Sequence, residues 1–134
     1  MNAPINVMKM KHDVDPGAAL REAVGDLDGI ELFNNQVLVA IYKRPERTAG
    51  GIILTDNARK EDEFQGKVGL VLDKGPMAFV DDASVKFQGQ DVIEGDWITF
   101  RASDGWALNI NGVPCRMVED SHIKMRVASP DTVY

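Results

Sequence analysis

Most of the chain after residue 32 follows the two-residue hydrophobic period that is typical of β-strands. The first such run covers residues 37–42, in which both sets of alternate positions are apolar. Further runs, each bounded by residues that favour turns, cover residues 66–72, 97–100, 107–110, 113–117 and 122–127. Several short strands with frequent turns predict an all-β domain, built as a small barrel or sandwich.

The runs at 107–110 and 113–117 are predicted to form a hairpin. The Asn111-Gly112 pair between them favours a tight two-residue turn. Pro114 has no N–H to donate to a neighbouring strand, which places the second strand of this hairpin at an edge of the sheet. In the last run, Ile123, Met125 and Val127 are predicted to face the interior, and the residues between them to face solvent.

A helical pattern precedes the strands, at residues 15–25. Asp15-Pro16 suits its start, since aspartate caps the first amides and proline favours the first helical position, and Gly25 suits its end. A helix this short is marginal in isolation. Its apolar residues Leu20 and Val24, together with Leu27, must therefore pack against another part of the protein.

Residues 48–55, TAGGIILT, hold three large apolar residues after a glycine pair. Polar and charged tracts lie on both sides, whereas a short buried strand is usually bounded by compact turns. The pattern favours an apolar tripeptide on an exposed loop, available to enter a groove on a partner. An ordinary short core strand is the alternative, because Ile-Ile-Leu has a strong β propensity.

The chain has 134 residues and a net charge of −6. This length fits one domain with its own core, and the negative charge excludes nucleic acid as an expected partner. No apolar run approaches the ~20 residues of a membrane span, and charged residues interrupt the N-terminus where a signal peptide would be apolar. With a single cysteine, no internal disulfide can form, and we expect a cytoplasmic protein.

Residues suited to catalysis or metal binding are few. Cys115, His12 and His122 are widely spaced and suggest neither a nucleophile–base pair nor a ligand cluster. The Asp81-Asp82 pair is interpreted as the solvated tip of a turn rather than as paired catalytic acids. We therefore expect no catalytic residues, no metal and no cofactor.

Read in order, these elements resemble the GroES family, the small co-chaperonins that cap double-ring chaperonins. The resemblance runs from about Leu32 to Val127. The motifs that carry it are NQVLV at 35–39, TAGGIILT at 48–55, GKV at 66–68, VIEGDWITF at 92–100 and the Asn111-Gly112 turn. The chain departs from the family at Glu31-Leu32 and Asn35-Gln36, where the family usually has proline-leucine and aspartate-arginine pairs.

The resemblance implies a partly open β-barrel at residues 31–128, between an N-terminal extension at 1–30 that contains the short helix and a tail at 129–134. It implies a mobile loop between the first two strands and a roof β-hairpin at residues 75–90. The residues that it assigns to docking on a chaperonin are Gly50, Gly51, Ile52, Ile53 and Leu54, with the glycines supplying backbone freedom. Those assigned to the roof tip are Asp81 and Asp82.

The partners that the resemblance implies are the apical domains of a GroEL-like chaperonin and further copies of this chain in a heptameric ring. The chaperonin binds ATP, so this chain needs no cofactor to assist ATP-dependent folding. The extension of about thirty residues is absent from ordinary bacterial members, and divergent members of this kind are typical of bacteriophage genomes. A second hypothesis is therefore a virion protein, such as a capsid decoration or cement protein, whose extension clasps a neighbouring subunit.

Overall fold

The fold was analysed in a computed structural model that describes residues 12, 14–44, 53 and 67–133. The elements in this part of the chain are one α-helix, six strands and two 3-10 helices. In chain order they are α1 (Pro16–Val24), β1 (Gln36–Ile41), β2 (Val68–Lys74), β3 (Trp97–Thr99), β4 (Trp106–Ile110), β5 (Val113–Glu119), a 3-10 helix (Asp120–His122), β6 (Met125–Val127) and a second 3-10 helix (Pro130–Val133). None of the helices in these ranges has the length and apolar character that crossing a bilayer requires.

The strands form one sheet in the order β4-β5-β1-β2-β3-β6, and every neighbouring pair is antiparallel. β4 and β6 are its two edges and are not paired with each other, so the barrel is partly open. The register of β1 against β2 shifts between Leu38 and Val39, and a bulge of this kind bends a strand and increases its twist. The predicted all-β architecture is confirmed.

Both faces of β1 are buried, which explains why both sets of alternate positions in this strand are apolar. Alternate side chains of a strand point to opposite faces, so β1 contributes to two separate clusters. The roof cluster consists of Val37, Val39, Ile41, Val71, Ala78, Val92, Ile98, Phe100 and Val118. The helix cluster consists of Val24, Leu32, Leu38, Ala40, Tyr42, Val68, Leu70, Leu72, Trp97, Ile110, Val113 and Cys115.

The N-terminal helix packs on its own sheet. Asp15 caps it by accepting a hydrogen bond from the Ala18 amide at 2.9 Å, and Gly25 ends it with a φ of 77°. Leu20 and Leu27 pack against the helix cluster, to which Val24 itself belongs. The predicted helix and its docking residues are confirmed.

The hairpin turn also holds the end of α1. Asn111 has a φ of 50°, which fits the tight turn predicted for Asn111-Gly112. Its side-chain amide donates a hydrogen bond to the Val24 carbonyl oxygen. One turn residue therefore joins two strands and satisfies a carbonyl at the C-terminus of the helix.

The prediction that Pro114 lies in an edge strand is wrong. β5 is paired on both sides, with β4 and with β1. Pro114 is tolerated because it lies opposite Asn109 of β4 and one residue before Cys115, where the pairing with β1 begins. Its missing N–H therefore removes no bond from the ladder between β5 and β1.

The prediction that Met125 faces the interior is also wrong, since 45% of this residue is exposed. The 3-10 helix Asp120–His122 replaces the start of the predicted last strand. Beyond it, Ile123 packs against the roof cluster and Val127 against the helix cluster. The short edge strand between them therefore has no single inward face, and the exposure of Lys124 and Arg126 agrees with the sequence.

The excursion between β2 and β3 reverses direction, but it contains turns and no β-strand. Gly75 donates a backbone hydrogen bond to Gln36 at 2.7 Å, and Phe79 meets Phe87 edge-to-face with ring centroids 5.2 Å apart. These contacts hold the excursion against the sheet. The predicted roof β-hairpin is therefore not a pair of hydrogen-bonded strands. It is a reversal of the chain that side-chain packing and single hydrogen bonds hold in place.

The thiol of Cys115 is buried in the helix cluster, and burial raises its pKa to about 11. At pH 8 such a thiol is ionised in only about one molecule in a thousand. We expect the native protein to react with DTNB at pH 8 at least about 100-fold more slowly than the protein unfolded in guanidinium chloride. Equal rates in the two states would show that the thiol is accessible in the fold.

Candidate functional site

The connection between β1 and β2 is unusually long for the strands that it joins. β1 and β2 are antiparallel neighbours in the middle of the sheet, and such strands are commonly joined by about two to five residues. Here residues 42–67 lie between them. Long connections inside a compact domain are usually functional, so this one is the first candidate for a binding site.

Ile53 lies in this connection and presents an apolar side chain to solvent. The residue is 55% exposed and forms a single-residue β-bridge. A core strand would bury this side chain, so the exposed-loop interpretation fits Ile53. The other residues assigned to docking, Gly50, Gly51, Ile52 and Leu54, lie outside the described residues.

The base of the connection is closed by a backbone hydrogen bond and by a buried polar cluster. Tyr42 donates its amide to the Val68 carbonyl at 3.0 Å. Its hydroxyl donates to Asp131 Oδ1 at 2.6 Å and lies 3.1 Å from His12 Nε2, which is itself 3.3 Å from Asp131 Oδ2. The Tyr42 ring packs edge-to-face on Trp97, with centroids 5.6 Å apart. The sequence carries no local signal for a cluster whose members are so far apart along the chain.

A second buried carboxylate anchors the roof excursion. Asp120 accepts hydrogen bonds from Asn35 Nδ2 at 3.2 Å, from the Phe79 amide at 3.0 Å and from the Ser121 amide at 2.7 Å. It therefore joins the start of β1, the excursion and the 3-10 helix. Three donors offset the cost of burying the carboxylate. The sequence analysis missed this residue because its partners are distant in the chain.

Asp81 and Asp82 lie exposed at the tip of the excursion, as the sequence predicted. Asp82 Oδ1 accepts from the Val85 and Ser84 amides, both at 2.7 Å, and these bonds hold the pKa of Asp82 below its usual range. Asp81 Oδ1 accepts from the Phe87 amide at 2.6 Å. Both carboxylates thus stabilise the tip itself, and their position at the top of an assembled ring stays a prediction.

Charged pairs elsewhere in the described ranges have structural roles. Lys74 at the end of β2 lies 2.6 Å from Asp91, and this hydrogen bond lowers the pKa of Asp91. Arg116 is buried, donates to the Ala102 and Asp104 carbonyls and lies over the Phe100 ring. Within these ranges, no three acidic, histidine or cysteine side chains gather as metal ligands would.

The fold and the site together define a class of protein: a small, partly open β-barrel that presents an apolar side chain on a long connection between its central strands. Residues 29–127 match the family described as chaperonin 10 Kd subunit, and the chain belongs to this family.

Named relatives agree with this assignment. The chain is 33% identical over 101 residues to Co-chaperonin GroES 2 of Mesorhizobium japonicum, a match that covers 75% of this chain and 91% of that one. It is 32% identical over 91 residues to Co-chaperonin GroES of Pelagibacter ubique, covering 68% and 88% of the two chains. It is 31% identical over 83 residues to Co-chaperonin GroES of Corynebacterium diphtheriae, covering 62% and 78%.

Proposed function

We propose that the chain is a co-chaperonin that caps a chaperonin ring, and that Ile52, Ile53 and Leu54 are the residues that dock on the ring. The observation that carries the proposal is the exposed side chain of Ile53 on the long connection of a member of this family. The names of the relatives, each a co-chaperonin, support the same function.

The energetics of such docking favour weak binding by each copy and strong binding by a ring. Full burial of three aliphatic side chains contributes roughly 5–9 kcal/mol. Ordering a loop costs ~1–2 kcal/mol of backbone entropy for each residue, which cancels most of that gain over a dozen residues. Tethering several copies in one ring restores the affinity, because each later loop binds at a high effective concentration.

We further propose that the chain assembles as a homo-oligomeric ring, with the heptamer of the family as the expected state. Among the described strands, β4 and β6 each pair on one side only and lie at opposite ends of the sheet, which suits contacts with two neighbouring copies. The loops bind the chaperonin conformation that exposes their groove and stabilise it by their differential affinity. In this mechanism the chaperonin binds and hydrolyses ATP, this chain carries out no catalysis, and both act in the cytoplasm.

The virion-protein hypothesis depends on an extension that is free to hold a neighbouring subunit. α1 instead packs on the helix cluster of its own sheet. No observation on the described residues favours a place in a virus particle, and we propose no second function.

The test is an aspartate substitution at Ile53, with the same substitution at Ile93 as a matched control. Both isoleucines are exposed, at 55% and 66%, but Ile93 lies in a different connection, the one between β2 and β3. We expect Ile53→Asp to abolish capping, since a carboxylate cannot enter an apolar groove without a large desolvation cost, and Ile93→Asp to cap normally. Capping is measured by electron microscopy and sedimentation of the chaperonin–nucleotide mixture. Unaltered capping by Ile53→Asp would refute the docking assignment.

A further inference from the structure

A residue of the N-terminal extension and a residue of the last 3-10 helix meet at the base of the connection that carries Ile53. His12 comes from the N-terminal extension, and Asp131 comes from the 3-10 helix Pro130–Val133. Both side chains lie within hydrogen-bonding distance of the Tyr42 hydroxyl. Tyr42 follows directly after β1 and is the first residue of the connection.

The contacts of Tyr42 make it a fixed point rather than a flexible hinge. It is 2% exposed, and its side chain is held on one side by Trp97 and at its tip by the Asp131 carboxylate, whose side chain is 6% exposed. A short hydrogen bond from a hydroxyl to a buried carboxylate is among the stronger kinds in proteins. The amide of the same residue closes the base of the connection by bonding Val68.

Two members of this cluster lie outside the part of the chain that matches the family. The match covers residues 29–127, which includes Tyr42 but neither His12 nor Asp131. The contact with the base of the connection is therefore made by segments of this protein that lie outside the family match.

We propose that His12, Tyr42 and Asp131 form a clasp by which the two terminal segments fix the base of the connection at residues 42–67, and that the clasp thereby strengthens docking through Ile53. A fixed base leaves fewer backbone conformations to be lost on docking, so less binding free energy is spent on ordering. Tyr42 is thus a positioning residue. The second half of this inference rests on the proposed function, whereas the first half does not.

The first half is tested by amide-resolved hydrogen exchange on Tyr42→Phe, which removes the hydroxyl and keeps the ring against Trp97. We expect the amide of residue 42 to exchange about tenfold faster, relative to the amide of Val39 in the centre of β1. Asp131→Ala, which removes the acceptor of the Tyr42 hydroxyl, provides a second variant with the same expectation. The matched control is Asn111→Gly, which removes a different contact of the extension and keeps the positive φ.

An unchanged exchange rate at residue 42 in both clasp variants would overturn the clasp, as would an equal acceleration in Asn111→Gly. These outcomes do not depend on any chaperonin.

The second half predicts that Tyr42→Phe raises the Kd for a chaperonin–nucleotide complex about threefold to tenfold, while Asn111→Gly leaves it unchanged. Suppose that the wild-type protein caps the chaperonin, that Ile53→Asp does not, and that Tyr42→Phe binds as tightly as the wild type. This result would refute the second half of the inference and leave the proposed function standing. Absence of capping by wild type would refute the proposed function and, with it, the second half, and would leave the exchange result to decide the clasp.

Discussion

Replacing Val24 with aspartate is expected to lower the free energy of unfolding by about 3–5 kcal/mol, a large share of the roughly 5–15 kcal/mol typical of a domain. Val24 is 1% exposed and lies in the helix cluster. The substitution removes its apolar contacts and places a carboxylate in their midst, at the interface between α1 and the sheet. Urea unfolding monitored by tryptophan fluorescence measures the change, because Trp97 belongs to the same cluster.

The control for this prediction is Ala23→Asp, one residue earlier in the same helix. Ala23 is exposed, and a carboxylate there has nearly the same unfavourable position in the helix dipole as one at residue 24. Its effect should stay within about 1 kcal/mol. If both variants unfold at the same urea concentration, α1 contributes nothing to the core and the extension is only an appendage.

The second large effect is expected from Gly105→Ala, at the turn that leads into β4. Gly105 has a φ of 73°, which L-residues rarely adopt. A Cβ there would lie 2.7 Å from Val118 Cγ1 and closer still to the Met117 carbonyl oxygen. Met117 and Val118 pair with β1, so the backbone has little room to move, and we expect a loss of about 2–5 kcal/mol in the free energy of unfolding.

Gly112→Ala separates the steric clash from the backbone strain. Gly112 has a similar φ of 80°, but no atom lies within 4 Å of the position that a Cβ would occupy. Only the strain of the left-handed conformation remains, which costs about 1–2 kcal/mol. Thermal or urea unfolding of the two variants gives the comparison directly. Equal losses in Gly105→Ala and Gly112→Ala would show that β5 yields to the added methyl group.

α1 packs on the sheet although it lies outside the span that matches the family. The family match begins at residue 29, after α1, and ends at residue 127, before the last 3-10 helix. Yet Val24 and Val133 both take part in the packing of the helix cluster. In this protein, therefore, the terminal segments complete one face of the sheet, and a truncation at residue 30 is expected to expose Tyr42 and Trp97.

The elements that the sequence predicted well are those specified by contacts between near neighbours. The cap of α1 depends on Asp15 and Ala18, and the Asn111-Gly112 turn depends on the φ angles of its own residues. The alternation at residues 37–42 predicted β1, because the two-residue period follows from strand geometry alone. The exposure of Ile53 was likewise indicated by the polar tracts that flank it.

The errors arose where sheet order or long-range packing decides the outcome. Whether Pro114 lies in an edge strand depends on whether a second strand pairs with β5 on the side away from β4. The local sequence does not determine this pairing. The regular alternation at residues 122–127 predicts an inward Met125, whereas the 3-10 helix Asp120–His122 shortens the strand. The burial of Asp120 and Asp131 could not be predicted from the sequence, because hydrogen-bond partners that make it possible lie far away in the chain.

By itself the sequence determined the all-β class, the short capped helix and the hairpin, and it indicated the exposure of Ile53, since each depends on residues close together in the chain. The tertiary structure alone decided that α1 covers the sheet, that β5 is an inner strand and that His12, Tyr42 and Asp131 meet. Contacts between distant residues arise from how the whole chain packs, and no short stretch of sequence encodes them.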